Sequence, residues 1–263
     1  MIESTFDLCS TNSEKVIISS YGSEVNYFII PGPTPAEVIR KYTELVGRSE
    51  LPSLWALGYH QSRAPFPPIF PLKILIGGYK NQENVLRIAR EFRRRRIPCD
   101  AIFLDIDYMN NFNPFTWHPK RFKKYRLMLK ELDKMGFKVV VIIDPYIKYD
   151  FSSQIFIEGF KREFFVKRNN EVFIGYGWPG KTVFPDFTKR EVREWWAKLH
   201  KGIFEAGVAG IWNDMNEPTF DIRLFSKKDF SKVKFNAGVF DEARNIYANL
   251  MYAYSKTIIF TLL

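Results

Sequence analysis

The chain has 263 residues, of which 46% are hydrophobic and 17% aromatic, which excludes a disordered polypeptide and allows one large domain or two small ones around a substantial core. The formal net charge of +10 speaks to solubility and non-specific binding; without aromatic interleaving or a recognised module it does not make a nucleic-acid reader. Two cysteines, Cys9 and Cys99, supply neither a disulfide framework nor a metal-ligand spacing and read as inert thiols of a reducing compartment. The first sixteen residues lack the basic and apolar regions of a signal peptide, and no apolar run is long enough to span a bilayer. The nearest candidate, "APFPPIFPLKILIG", carries Pro65, Pro67, Pro68 and Pro71 and would break as a helix, so no membrane is expected and the cytoplasm is the expected location.

In chain order, "KVIISSYGSEVNYFIIPGP" predicts two short strands about a Tyr-Gly-Ser turn, the tail of a β domain, with "PGPTP" as a linker. A helix follows at "PAEVIRKYTELVG", with Val38, Ile39, Tyr42 and Leu45 on one face and Gly47 as C-cap. A unit then repeats. "LWALGYHQSR" predicts a strand, and "NQENVLRIAREFRRRR" a helix opened by Asn81 that turns Val85, Ala89 and Phe92 inward. The arginines at 93–96 suit a solvated helix end, where cations complement the dipole. "AIFLDIDYM" is the second strand, "PKRFKKYRLMLKELDKMG" a helix stopped by Gly136, and "FKVVVIIDPYI" the third strand. After a long loop at 150–188 come a helix in "KREVREWWAKLHKGIFEAG" and a fourth strand in "VAGIWNDMNEP". "FDEARNIYANLMYAYSK" and "TIIFTLL" predict a last helix and a fifth strand.

Near-continuous apolar strands, each followed by an amphipathic helix, indicate a parallel sheet in a doubly wound fold or a (β/α) barrel. The strands end in His60, Gln61 and Arg63; in Asp105 and Asp107; in Asp144; and in Asp214 and Glu217. Carboxylates at the C-terminal ends of successive parallel strands stand where both folds place their sites, although each alone is also an ordinary Asp cap. Without a Cys/His cluster, a Gly-rich phosphate loop or a Ser elbow, they point to acid/base or carboxylate-nucleophile chemistry, glycoside hydrolysis first. Asp105, Asp107 and Asp214 as Mg²⁺ ligands is the competing chemistry. Glu217, three residues beyond Asp214, is expected to brace the loop instead of facing Asp214 across a sugar. "FIGYGWPGKTVFPDF" sets Tyr176 and Trp178 in a rigid loop that suits a sugar ring and equally a satellite core.

"GIWNDMNEP" resembles the nucleophile motif of glycoside hydrolase family 31, the α-glucosidases and α-xylosidases. "YTELVGRSELPSLWALGYHQSR", "IPCDAIFLDIDYM", "FTWHPKRF", "VVVIIDP" and "WPGKTVFPDFT" follow that family's order and rough spacing over residues 27–254. The resemblance implies a retaining α-glycosidase on a (β/α)8 TIM barrel preceded by a β-sandwich. Residues 1–33 would be the last strands of that sandwich and 34–263 the N-terminal half of the barrel, with 150–188 inserted. It implies Asp214 as nucleophile with Glu217 in support, Asp105 hydrogen-bonded to the terminal sugar, and Ile147, Trp178, Trp212 and Met215 as subsite walls. The "DIDYM" form is similar to the glucose-acting branch. No metal or cofactor is implied; the partner is an α-glucoside or oligosaccharide.

The family's acid/base Asp falls beyond Leu263, together with strands six to eight. A half barrel leaves sheet edges uncovered, which predicts poor solubility or association. The Pro-rich stretch after Arg63, Arg244 in place of a frequent His, and Pro114 in place of a frequent acid also depart from the family's pattern. Two expectations follow: a nucleophile-bearing half completed by a second polypeptide, or a catalytically inactive relative that only binds glucosides or serves as an interaction partner. Loss of the general acid alone would cost about 10²- to 10⁴-fold.

Overall fold

The run of Val139, Val140, Val141, Ile142 and Ile143 is β-branched throughout, a pattern that fits a strand covered on both faces. In the structure, a computed structural model, all five are buried at the centre of a parallel sheet. The structure describes residues 4–8, 16–20, 27–63, 78–221, 230 and 232–262. Cys9, the turn at 21–23 and the Pro-rich stretch at 64–77 lie outside the described residues.

β1 (Ser4–Leu8) and β2 (Val16–Ser20) pair antiparallel, and α1 (Pro35–Val46) follows, capped by the Thr34 hydroxyl, which accepts from Glu37 N. β3 (His60–Arg63), α2 (Gln82–Arg94), β4 (Ala101–Leu104), α3 (Tyr125–Lys134) and β5 (Lys138–Ile143) repeat the strand-helix unit. Asn81 caps α2 through a bond from Asn84 N, and Gly136, at φ +77°, ends the α3 turn. The following segment contains β6 (Ile147–Lys148), α4 (Gln154–Lys161), β7 (Lys167–Arg168), β8 (Glu171–Val172), β9 (Gly175–Gly177) and β10 (Gly180–Val183). α5 (Arg190–Phe204) leads to β11 (Gly210–Asn213), and the chain continues through β12 (Val233–Phe235), β13 (Gly238–Val239) and α6 (Phe240–Leu262).

The parallel sheet has the order β11-β5-β4-β3. Spatial order follows chain order without a switch point, which is the winding of a barrel and not of a doubly wound sheet. Ile102, Leu104, Val141 and Ile143 belong to one apolar cluster with Val85, Ala89, Leu132, Trp196 and Ile203 of the helices. Each such buried aliphatic side chain contributes about 1.5–3 kcal/mol. β6, β10 and β9 form a second, antiparallel sheet, and β7 joins β8 and the distant β12 in a third.

Three expectations are corrected. The first barrel strand begins only at His60, because residues Leu54–Leu57 form a 3-10 turn with Ala56 N donating to Ser53 O and Gly58 N to Trp55 O. Residues 27–30 are not a strand; the ladder of Val16–Ser20 is taken by Ser4–Leu8. The fifth strand expected in "TIIFTLL" is helical, since α6 contains neither Gly nor Pro to stop it and runs through to Leu262.

Candidate active site

The sheet register decides which strand-end residues meet. Asn213 pairs with Ile143, so Asp214 and Asp144 stand side by side one step beyond the ladder, on strands about 4.8 Å apart. Leu104 pairs with Val141, which sets Asp105 opposite Ile142, two residues before Asp144 and therefore on the same face. Trp212 and Phe103 share that face by the same alternation, with ring centroids 6.4 Å apart. Both are half-buried, whereas Leu104, Val141 and Ile143 of the opposite face are at most 1% exposed.

Charge confirms the gathering. Burial pushes Asp144 up to about 7; the Tyr146 hydroxyl, which donates to Oδ2 at 2.8 Å, works against this, and Asp214, Asp105 and Glu217 add to it. Asp105 is raised first by burial, held back by Ile106 N donating to Oδ1 at 2.7 Å, and raised again by Asp107 and Asp214. Asp105 is thus both the cap of the turn Ile106–Tyr108 and a member of the acidic cluster. Asp107 is raised by burial despite Arg121 at 3.7 Å. Among the described residues no group of three or more His, Cys, Asp or Glu is placed to hold a metal ion.

The loop after β11 turns sharply at Met215, whose φ of +58° is left-handed, a conformation that costs a non-glycine residue about 1–3 kcal/mol and persists where surrounding structure enforces it. Thr219 N donates to Met215 O at 3.0 Å and closes the turn. Glu217 is exposed, and its Oε2 accepts from the Thr219 hydroxyl at 2.7 Å, a bond within the loop. Trp178 is half-buried, and its backbone N–H donates to the Tyr146 hydroxyl at 3.4 Å. Ile147 is fully buried in β6, paired with Val183. The three aspartates, Trp212 and Met215 are therefore brought together by β4, β5 and β11, while Ile147 lies in the core beside them. Tyr146 escaped sequence reasoning; its signal was its position two residues after a strand-end acid.

The Glycosyl hydrolases family 31 TIM-barrel domain model matches residues 49–259. The chain belongs to glycoside hydrolase family 31. Among family relatives it is 38% identical over 235 residues to Alpha-glucosidase 2 of Bacillus thermoamyloliquefaciens, covering 86% of this chain and 28% of that protein. Among solved members of the family, the α-glucosidase from Bacteroides thetaiotaomicron superposes with a TM-score of 0.78 at 33% identity, over 98% of this chain and 40% of the other. The catalytic subunit in a heterodimeric complex of ER glucosidase II with the binding domain of a regulatory subunit superposes at 0.75, with 30% identity, over 87% of this chain and 24% of that one. The chain spans less than a third of the length of the curated relative and well under half of these two structures.

Proposed function

We propose that this chain carries the nucleophile-bearing half of a retaining α-glucosidase site. The observation that carries the reading is the convergence of Asp105, Asp144 and Asp214 on one face at the C-terminal ends of three neighbouring parallel strands. In the reaction a carboxylate oxygen of Asp214 forms a bond to the anomeric carbon as the glycosidic C–O bond breaks, and the departing oxygen takes a proton from a general acid. Water then cleaves the glycosyl ester and regenerates Asp214. Asp105 hydrogen-bonds the terminal sugar, Trp178, Trp212 and Met215 wall it beside the buried Ile147, and Glu217 braces the loop through Thr219.

In this reading the general acid and the remaining strand-helix units come from outside these 263 residues, and β1 with β2 is the remnant of a β-sandwich. A second polypeptide is one source, and the heterodimeric relative supports a partner chain in this family. The test is intact-mass labelling of the purified chain with 5-fluoro-α-glucosyl fluoride, then peptide mapping. An adduct on Asp214 that Asp214→Asn abolishes is the expected result. Absence of adduct, with a control enzyme labelled normally, would favour a chain that only binds glucosides.

A further inference from the structure

Two carboxylates on adjacent strands at the same register position cannot both ionise cheaply in a partly buried site. Asp144 and Asp214 are such a pair, since Asn213 and Ile143, the residues just before them, are ladder partners. Their surroundings differ. Asp144 is 2% exposed, whereas Asp214 is half-buried. One oxygen of Asp144, Oδ2, accepts from the Tyr146 hydroxyl, and the other, Oδ1, is buried with no hydrogen-bond partner among the described residues. A bare anionic oxygen in that position carries a full desolvation cost, while a hydroxyl there carries much less.

The groups that act on Asp144 come from every element around it. They are Tyr146 on its own segment, Tyr108 and Asp105 from the end of β4, and Asp214 and Glu217 from the end of β11. None of these is cationic: Asp105, Asp214 and Glu217 oppose ionisation of Asp144, and the Tyr146 hydroxyl, donating to Oδ2, works against them.

We infer that Asp144 is held as the neutral acid of this cluster, its proton on Oδ1, so that it adds no charge beside Asp214. The inference rests on Asp214 being the nucleophile only for its catalytic meaning; the protonation itself is measurable without turnover. Tyr146 orients the neutral acid by holding Oδ2, which leaves Oδ1 as the hydroxyl.

The decisive experiment is a carbon-13 NMR titration of the full chain labelled at the aspartate carboxyl carbons, with Asp144→Asn to assign the resonance. A carboxyl titrating near 7 that vanishes in Asp144→Asn is expected. In Asp214→Asn its midpoint should fall by about one unit or more, because the neighbouring like charge is gone. Titration of Asp144 below pH 5, or an unchanged midpoint in Asp214→Asn, would overturn the inference. Should Asp144→Asn not fold, Asp144→Glu assigns the resonance instead, because it removes the labelled aspartate carboxyl from that position.

Labelling of Asp214 by the fluoroglycoside, followed against pH, supplies the catalytic readout. Asp144→Asn mimics the neutral acid, so its labelling profile should lose the inflection near neutrality that the wild-type profile shows. Abolished labelling in a folded Asp144→Asn chain would mean that Asp144 works as an anion, contrary to the proposal. If the wild-type chain takes no label, the nucleophile reading fails while the titration still rules on Asp144.

Discussion

Helices α1 and α5 are written in the same amphipathic pattern, and only one of them is covered. α5 buries Val192, Trp195, Trp196, Ala197, His200 and Ile203, although no side chain caps its N-terminus. α1 has Pro35 in its first turn and a Thr34 cap, yet it buries no residue, and Ile39, Tyr42 and Leu45 are each more than half exposed. Leu51 and Leu54, just beyond it, are 92% and 86% exposed. Capping and period specify that a helix forms and which face is apolar; what covers that face is a property of the neighbours. An apolar surface of this kind marks a place of interaction.

The largest expected effect sharpens that contrast. Trp196 is 1% exposed and touches Phe187, Phe115 and His200, so Trp196→Ala should cost about 3–5 kcal/mol, read as a lower denaturant midpoint at unchanged slope. A smaller loss than at an α1 position would break the comparison.

α5 should also make stability pH-dependent. His200 is fully buried, its Nδ1 lies 2.9 Å from Trp196 O, and burial lowers it from 6.5 to about 4. Its folded value lies below its unfolded value, so the unfolded chain binds the extra proton. Stability from this group is complete above pH 6.5 and is lost as pH falls toward 4, by on the order of 3 kcal/mol. Asp144 has the opposite sign, since its raised folded value lowers stability as pH climbs from about 4 to 7. The two contributions largely cancel between about pH 4 and 6.5, so chemical denaturation across that window should show stability falling with pH in His200→Gln and rising with pH in Asp144→Asn.

Next in size is Gly177→Ala, whose added Cβ would lie 2.6 Å from the Tyr146 ring that holds Asp144. A cost of about 1–3 kcal/mol is expected, together with a shifted Asp144 titration by NMR. The smallest effect belongs to α1: Ile39→Ser should change stability by no more than about 0.5 kcal/mol while improving solubility, measured by denaturation and by the saturating concentration. A large destabilisation there would show that the face is covered in the folded chain.

Much of this architecture was legible along the chain. Asn81, Gly47 and Gly136 mark helix ends through local bonds and φ preferences, and the acids after β4, β5 and β11 stand at strand ends because apolar runs stop there. The 3-10 turn at Leu54–Leu57 was hidden because a short apolar run suits a strand equally well. The pairing of β7 with β12 was hidden because it joins residues 167–168 to 233–234, a contact with no local trace. The buried place of Ile147 likewise depends on Val183, which reaches it from β10.

The sequence by itself determined the alternation of strand and helix, the apolar face of each helix and the acids beyond the strands, since these follow from period and punctuation. Tertiary structure alone decided that Asp144 and Asp214 are lateral neighbours, that Tyr146 holds one of them, and that α5 is covered where α1 is open. Register, burial and electrostatic field are set by residues far away in the chain, and no local pattern encodes them.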